Sequence, residues 1–319
     1  MVRVLCATLM AICLAVPSHA AGHLFVVAKA KQVLQVFDPD TGELQFEIKG
    51  TGAPHMVAVS SDGRFAYTGD ADGIKNTVSV IDVAKRAKTA ELNIKPHLRP
   101  HGLAITKDGS RLFVTSAPTR AVVEIQLPAL TLGKAYRFFA DSVENLALTP
   151  DESVLFASSS FDGNIMVIDL KKNEYERAII SGDSPEGLSV TPDGKELWVA
   201  NRVSQTIAVI DIAERRRVAS LQCIGNPMHV YFTPDGSEAL VTGAVADRLI
   251  VFDRAKRAEI TRFVVGDFPV AMALNDTGAT GYVTCSVDND VAVVDIAARK
   301  VLRRIPVAGD PEGIAYSSK

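Results

Sequence analysis

Three distant stretches share one frame, proline, a variable residue, glycine and then apolar residues: Pro100-His101-Gly102-Leu103, Pro185-Glu186-Gly187-Leu188 and Pro311-Glu312-Gly313-Ile314. Looser copies occur at Pro54-His55, Pro227-Met228 and Pro269-Val270, and Val143-Glu144-Asn145 fits the same place without proline or glycine. The variable slot therefore holds Glu312, His55, His101, Glu144, Glu186, Met228 and Val270, with His229 one place later. Imidazoles and carboxylates together suit a divalent transition metal or zinc. They also suit acid–base work, because histidine titrates near neutrality and a nearby carboxylate favours its charged form. Solvated or mutually paired groups lining a wet opening would show the same composition. No metal motif of fixed spacing decides between these readings.

The elements that must position these residues repeat along the chain. A turn written Ser61-Asp62-Gly63 returns around Asp108, Asp151, Asp193, Asp235 and Asp276, at spacings of 46, 43, 42, 42 and 41 residues. Between these turns lies a second marker, an apolar run ending in Asp38, Asp82, Asp169, Asp211, Asp253 or Asp295, with Gln126 in that place once. Each unit holds four short runs rich in Val and Ile, which is strand chemistry. The Asp-Gly turns suggest hairpins whose two central residues both adopt positive φ, and the aspartate ending each third run can bond backbone amides to start the next turn. Four antiparallel strands per unit of about 42 residues make one blade of a β-propeller.

Counting the units predicts an all-β, seven-bladed propeller over residues 21–319. The C-terminal strand (Gly313-Ile314-Ala315-Tyr316) would join the N-terminal blade and close the ring, leaving no open end of the array. The first strand of each blade lies innermost. The slot residues then form a ring around one channel mouth, with five neighbouring ionisable positions and two apolar ones. Loops after the second strands share that face and carry Lys29, Asp70, Asp72, Arg120, Asp162, Arg202, Asp247 and Asp288. Of these, Asp70, Arg120 and Arg202 are rim candidates for docking a partner.

Residues 1–20 read as a secretory signal, with Arg3, an apolar run from Val4 to Val16 and small residues up to Ala20. The mature chain is expected in the periplasm or outside the cell, with no membrane span. Removing the signal leaves Cys223 and Cys285, too few for a disulfide framework and expected as buried packing residues. The 34 basic and 37 acidic residues form no blocks, so no nucleic-acid partner is expected. Motifs for an elbow serine, a dinucleotide and a c-type haem are all absent.

The unit Glu196-Leu197-Trp198-Val199-Ala200-Asn201, followed by Thr206 to Leu221, resembles the YVTN-type propeller repeat; the second-strand slot elsewhere reads Phe-Val-Thr-Ser and Tyr-Val-Thr-Cys. The seven-repeat length and the phrases around Phe37 to Ile48 and Gly52 to Thr68 resemble the propeller family associated with catabolism that depends on pyrroloquinoline quinone (PQQ). That resemblance implies an exported, monomeric binding or accessory protein in periplasmic quinoprotein alcohol oxidation. Its partners would be a quinoprotein dehydrogenase or transport components, and PQQ or a divalent metal are the cofactors to test. Trp198 is the only tryptophan, which counts against the chain being a PQQ dehydrogenase, since those enzymes are longer, eight-bladed and tryptophan-rich. Two alternatives remain open: a metal- or His-dependent enzyme of lactonase or lyase type at the mouth, and a protein-interaction scaffold.

Overall fold

The computed structural model describes residues 22–71, 75–140 and 142–319. The expected leader over residues 1–20 and the loop residue Asp72 lie outside the described residues. The chain forms seven four-stranded antiparallel sheets. Blade one joins β28 (Pro311–Ser317) to β1 (His23–Ala28), β2 (Val33–Phe37) and β3 (Leu44–Lys49). Blades two to seven each take four consecutive strands, beginning with β4 (Val57–Val59), β8 (Pro100–Ile105), β12 (Leu146–Leu148), β16 (Pro185–Val190), β20 (Pro227–Phe232) and β24 (Pro269–Leu274). These first strands and β28 pack against one another in succession around the axis. The ring closes through the antiparallel register Leu24↔Tyr316, Phe25↔Ala315 and Val26↔Ile314.

Burial follows the order of strands within a blade. The second and third strands are almost wholly buried, as in β17 (Glu196–Asn201) and β18 (Thr206–Asp211), while the outer β19 (Arg216–Gln222) is exposed or half-buried throughout. The inner strands face both neighbouring blades, so they read as continuous Val, Ile and Phe rather than as alternation. Trp198 is fully buried and meets Phe232 and Phe252 edge-on across the joint between blades five and six. Burying such side chains at each joint contributes about 1.5–3 kcal/mol apiece. Cys223 and Cys285 are buried free thiols in these joints.

The Asp-Gly turns differ from the expected hairpin. In Thr106-Lys107-Asp108-Gly109 only the glycine is left-handed, at φ 68°, and its N–H donates to the Thr106 carbonyl at 2.9 Å. This is a type I turn followed by a left-handed glycine. Asp108 is selected for its carboxylate, which accepts from Thr106 Oγ1 (2.6 Å) and from the Ser110 N–H (2.9 Å). The aspartates ending the third strands act as expected, with the amides of Lys85, Lys172, Glu214, Lys256 and Ala298 donating to Asp82, Asp169, Asp211, Asp253 and Asp295.

Candidate functional site at the channel mouth

The Pro-x-Gly frame builds a β-bulge. In blade three Pro100 pairs with Ser116 and Leu103 with Val114, so His101 and Gly102 together face only Thr115. The same shift occurs at Pro185/Leu188, Pro227/Val230, Pro269/Met272 and Pro311/Ile314. A bulge bends its strand and re-aims the extra side chain. In these five blades the residue before the proline is left-handed (Arg99, Ser184, Asn226, Phe268, Asp310) and turns the chain into the inner strand.

In four of the blades a hydroxyl relay locks the inner strand to the next blade. Thr115 Oγ1 accepts from the Gly102 N–H and donates to the Glu144 carbonyl, both at 2.7 Å. Ser158, Thr242 and Thr284 do the same, donating to the slot carbonyls of Glu186, Val270 and Glu312. Blade one has Val27 in this place, and the Gly313 N–H donates directly to the His55 carbonyl at 2.8 Å. The bulge glycines allow this close approach. A Cβ on Gly102 would lie 2.4 Å from the Glu144 carbonyl oxygen, and one on Gly313 would lie 2.5 Å from that of His55.

The bulges surround a cavity of 1390 Å³ lined by the slot residues, by the loops after the second strands and by the segments leading into the first strands. His55, His101, Glu144, Glu186, His229 and Glu312 all line it. Glu312 accepts from His55 Nδ1 on one oxygen and from Lys29 Nζ on the other, each at 2.6 Å. Burial raises its pKa, but His55 and Lys29 pull harder and leave it below the usual carboxylate value. The His55 and His101 rings lie 4.6 Å apart. His101 Nδ1 sits 3.1 Å from the Glu144 carbonyl, and burial together with neighbouring His55 holds this imidazole below the ordinary histidine value. Glu144 in turn accepts from the Ser142 hydroxyl. Glu186 is paired with Arg202 at 3.1 Å and accepts from Asn145 Nδ2 at 3.3 Å. Its burial raises its pKa against the pull of Arg202. His229, 9% exposed, is driven by burial down to about 4 and stands neutral.

The rim candidates separate. Arg120 is exposed. Arg202 lines the cavity, where it bridges Glu186 and Asn226. Asp70 is not on an exposed rim: it is fully buried, and Oδ1 accepts from the Ala53 N–H at 3.3 Å. Gly52 carries no side chain where Asp70 packs; a Cβ there would lie 2.0 Å from Oδ1.

Sequence reasoning missed the apolar wall. Met228 and Val270 of the slot ring are continued outward by Phe161, Val203, Ile224 and Val245, all exposed at the mouth. Three of these, Phe161, Val203 and Val245, occupy the same place after successive second strands, a repeat that aligning the units on their loops would have revealed. At the slot ring the imidazoles and partnered carboxylates face Met228 and Val270, and apolar rim residues overhang part of both, a combination suited to holding an amphipathic ligand.

The chain matches no protein-family model and no curated protein. Solved structures share its fold. A functionally unknown protein from Desulfotomaculum acetoxidans DSM 771 is 17% identical with a TM-score of 0.80, over 92% of this chain and 98% of that one. Hydrazine synthase from Kuenenia stuttgartiensis is 21% identical with a TM-score of 0.74, over 82% of this chain and 89% of that one. The dihydro-heme d1 dehydrogenase NirN in complex with DHE is 17% identical with a TM-score of 0.70, over 92% of this chain and 75% of that one. At these identities the likeness is one of fold.

Proposed function

We propose that the protein is an exported binding protein whose mouth cavity takes a flat, amphipathic ligand of cofactor size. PQQ is the first candidate through the resemblance of the repeats to the YVTN-type, PQQ-associated propellers, and the setting is accessory to periplasmic quinoprotein alcohol oxidation. The observation that carries the reading is that one 1390 Å³ cavity joins the ionisable slot residues to Met228, Val270 and an apolar rim. The apolar wall of Met228 and Val270 would cover a ring face. Arg202 and Asn226 on the rim would meet polar substituents. The carboxylates of Glu312, Glu186 and Glu144 are each committed to a partner, which favours holding a ligand over proton transfer to it. NirN, a fold neighbour, is in complex with DHE; in this chain the propeller mouth would hold the organic ligand. No helix among the described residues is long and apolar enough to cross a membrane.

Calorimetric titration of the metal-free protein with PQQ tests the reading. One-site binding that is lost in Val270→Trp, which adds bulk to the apolar wall, supports it. Absence of binding, or binding unchanged in that variant, overturns it.

A further inference from the structure

We propose that His55 and His101 form a two-imidazole site for a divalent first-row transition metal ion, bound through their Nε2 atoms, with further coordination positions open to the cavity. The inference shares the cavity of the organic-ligand reading but stands on different atoms. Either can fail without the other, because the metal is tested with no organic ligand present.

The orientation of the two rings carries it. A backbone carbonyl only accepts, so the 3.1 Å contact of His101 Nδ1 with the Glu144 oxygen places the ring hydrogen on Nδ1. Neutral His101 then carries its lone pair on Nε2. His55 is arranged alike from the opposite side, since its Nδ1 meets the Glu312 carboxylate at 2.6 Å while Lys29 holds the other carboxylate oxygen. No hydrogen-bond partner among the described residues meets Nε2 of either ring. Metal-ligating histidines show this pattern, with one ring nitrogen tied to a carboxylate or backbone carbonyl and the other left for the ion. The hydroxyl relay adds a further layer, because the Glu144 carbonyl that anchors His101 is itself fixed by Thr115.

The rings are neighbours, with centroids 4.6 Å apart and planes at 39°, and one ion would join them by bonds of about 2.0–2.1 Å from each Nε2. Imidazole suits zinc, copper, nickel and iron. The cavity residues do not bring three ligand atoms within 4.8 Å of one another, so the protein offers two ligands and leaves positions open. Open positions mark a site that works on a ligand rather than one that staples a fold. His229, the third imidazole of the cavity, is buried, and its ring has no hydrogen-bond partner among the described residues.

The competing cluster is Cys285, Asp288 and Asp290, whose ligand atoms do lie within 4.8 Å of one another. It is already filled by a cation: Arg304 Nη1 bonds Asp288 at 3.0 Å and Asp290 at 2.8 Å. Burial also pushes the Cys285 thiol up to about 12, which keeps it protonated.

The test uses the full mature chain, stripped with chelator and titrated with Zn(II) by calorimetry and with Cu(II) by electron paramagnetic resonance. One equivalent is expected to bind, with nitrogen hyperfine structure on copper. His55→Ala and His101→Gln should each abolish stoichiometric binding. Glu312→Gln, which leaves both ligands in place, should weaken it about 10–100-fold, and Asp290→Asn should leave it unchanged. The copper spectrum of the unaltered protein decides the matter even if a variant folds poorly. An all-oxygen spectrum, no stoichiometric binding, or affinity retained without His55 and His101 overturns the proposal.

Discussion

Thr115→Val probes whether the hydroxyl relay holds the mouth together. Thr115 is fully buried, and its hydroxyl makes two hydrogen bonds of 2.7 Å, one from the Gly102 N–H and one to the Glu144 carbonyl. Valine keeps the shape but leaves the buried Gly102 N–H without a partner, at about 1–3 kcal/mol. The Glu144 carbonyl loses one donor but keeps His101 Nδ1, so that side costs less, about 0.5–1.5 kcal/mol. The expected destabilisation is about 3 kcal/mol, roughly a hundredfold in the folding constant, read as a shift in the urea midpoint. Thr115→Ser restores the hydroxyl and should recover most of the loss. A Thr115→Val protein within about 0.5 kcal/mol of the parent, the usual range for a neutral substitution, would refute the relay. So would a serine variant as damaged as the valine one.

Gly187→Ala places a Cβ 2.3 Å from His229 Nδ1 and 2.6 Å from His229 Cα. It should cost about 1–3 kcal/mol by overpacking, visible as a lower melting temperature, whereas alanine at Gly109, with nothing within 4 Å, meets only the strain of its left-handed backbone. Cys223 and Cys285, both lifted to about 12 by burial, should resist alkylation in the folded protein, and mass spectrometry should find both modified only in denaturant. Asp108, Asp151 and Asp193 are held down to about 2 from 3.8, Asp108 and Asp151 mainly by threonine hydroxyls and Asp193 by Thr191 and Arg254 against a larger opposing effect of burial. A depressed carboxylate stabilises above its unfolded value and loses that stabilisation as pH falls through its folded one. The stability advantage of the parent over Asp108→Asn should therefore hold above about pH 4 and shrink between pH 4 and 2; an advantage independent of pH over that range would contradict the assignment.

The repeat made the architecture legible because each blade writes its own turn, its own third-strand aspartate and its own slot. Counting slots also placed Glu312 beside His55, His55 beside His101 and His101 beside Glu144, since neighbours in the count are neighbours around the ring. Pairing between slot residues and loops was not legible. That Glu312 would take Lys29 as well as His55, and that Glu186 would turn to Arg202, depends on how the loops after the second strands lean over the mouth. Strand periodicity does not encode that lean. Asp70 is misplaced by the loop count: in register with the other blades it matches Ser116, Ser159, Asn201 and Cys285 at the ends of the second strands, all of them buried. The Asp-Gly turns were read for their φ requirements, and the aspartate serves through its carboxylate.

A crystal structure of the protein soaked with PQQ tests the central claim most directly. The account predicts one ring system lying against Met228 and Val270, its polar edge turned toward Arg202 and the His55–His101 arc. A cavity without ligand density at saturating PQQ, or density confined to the outer strands, would contradict it.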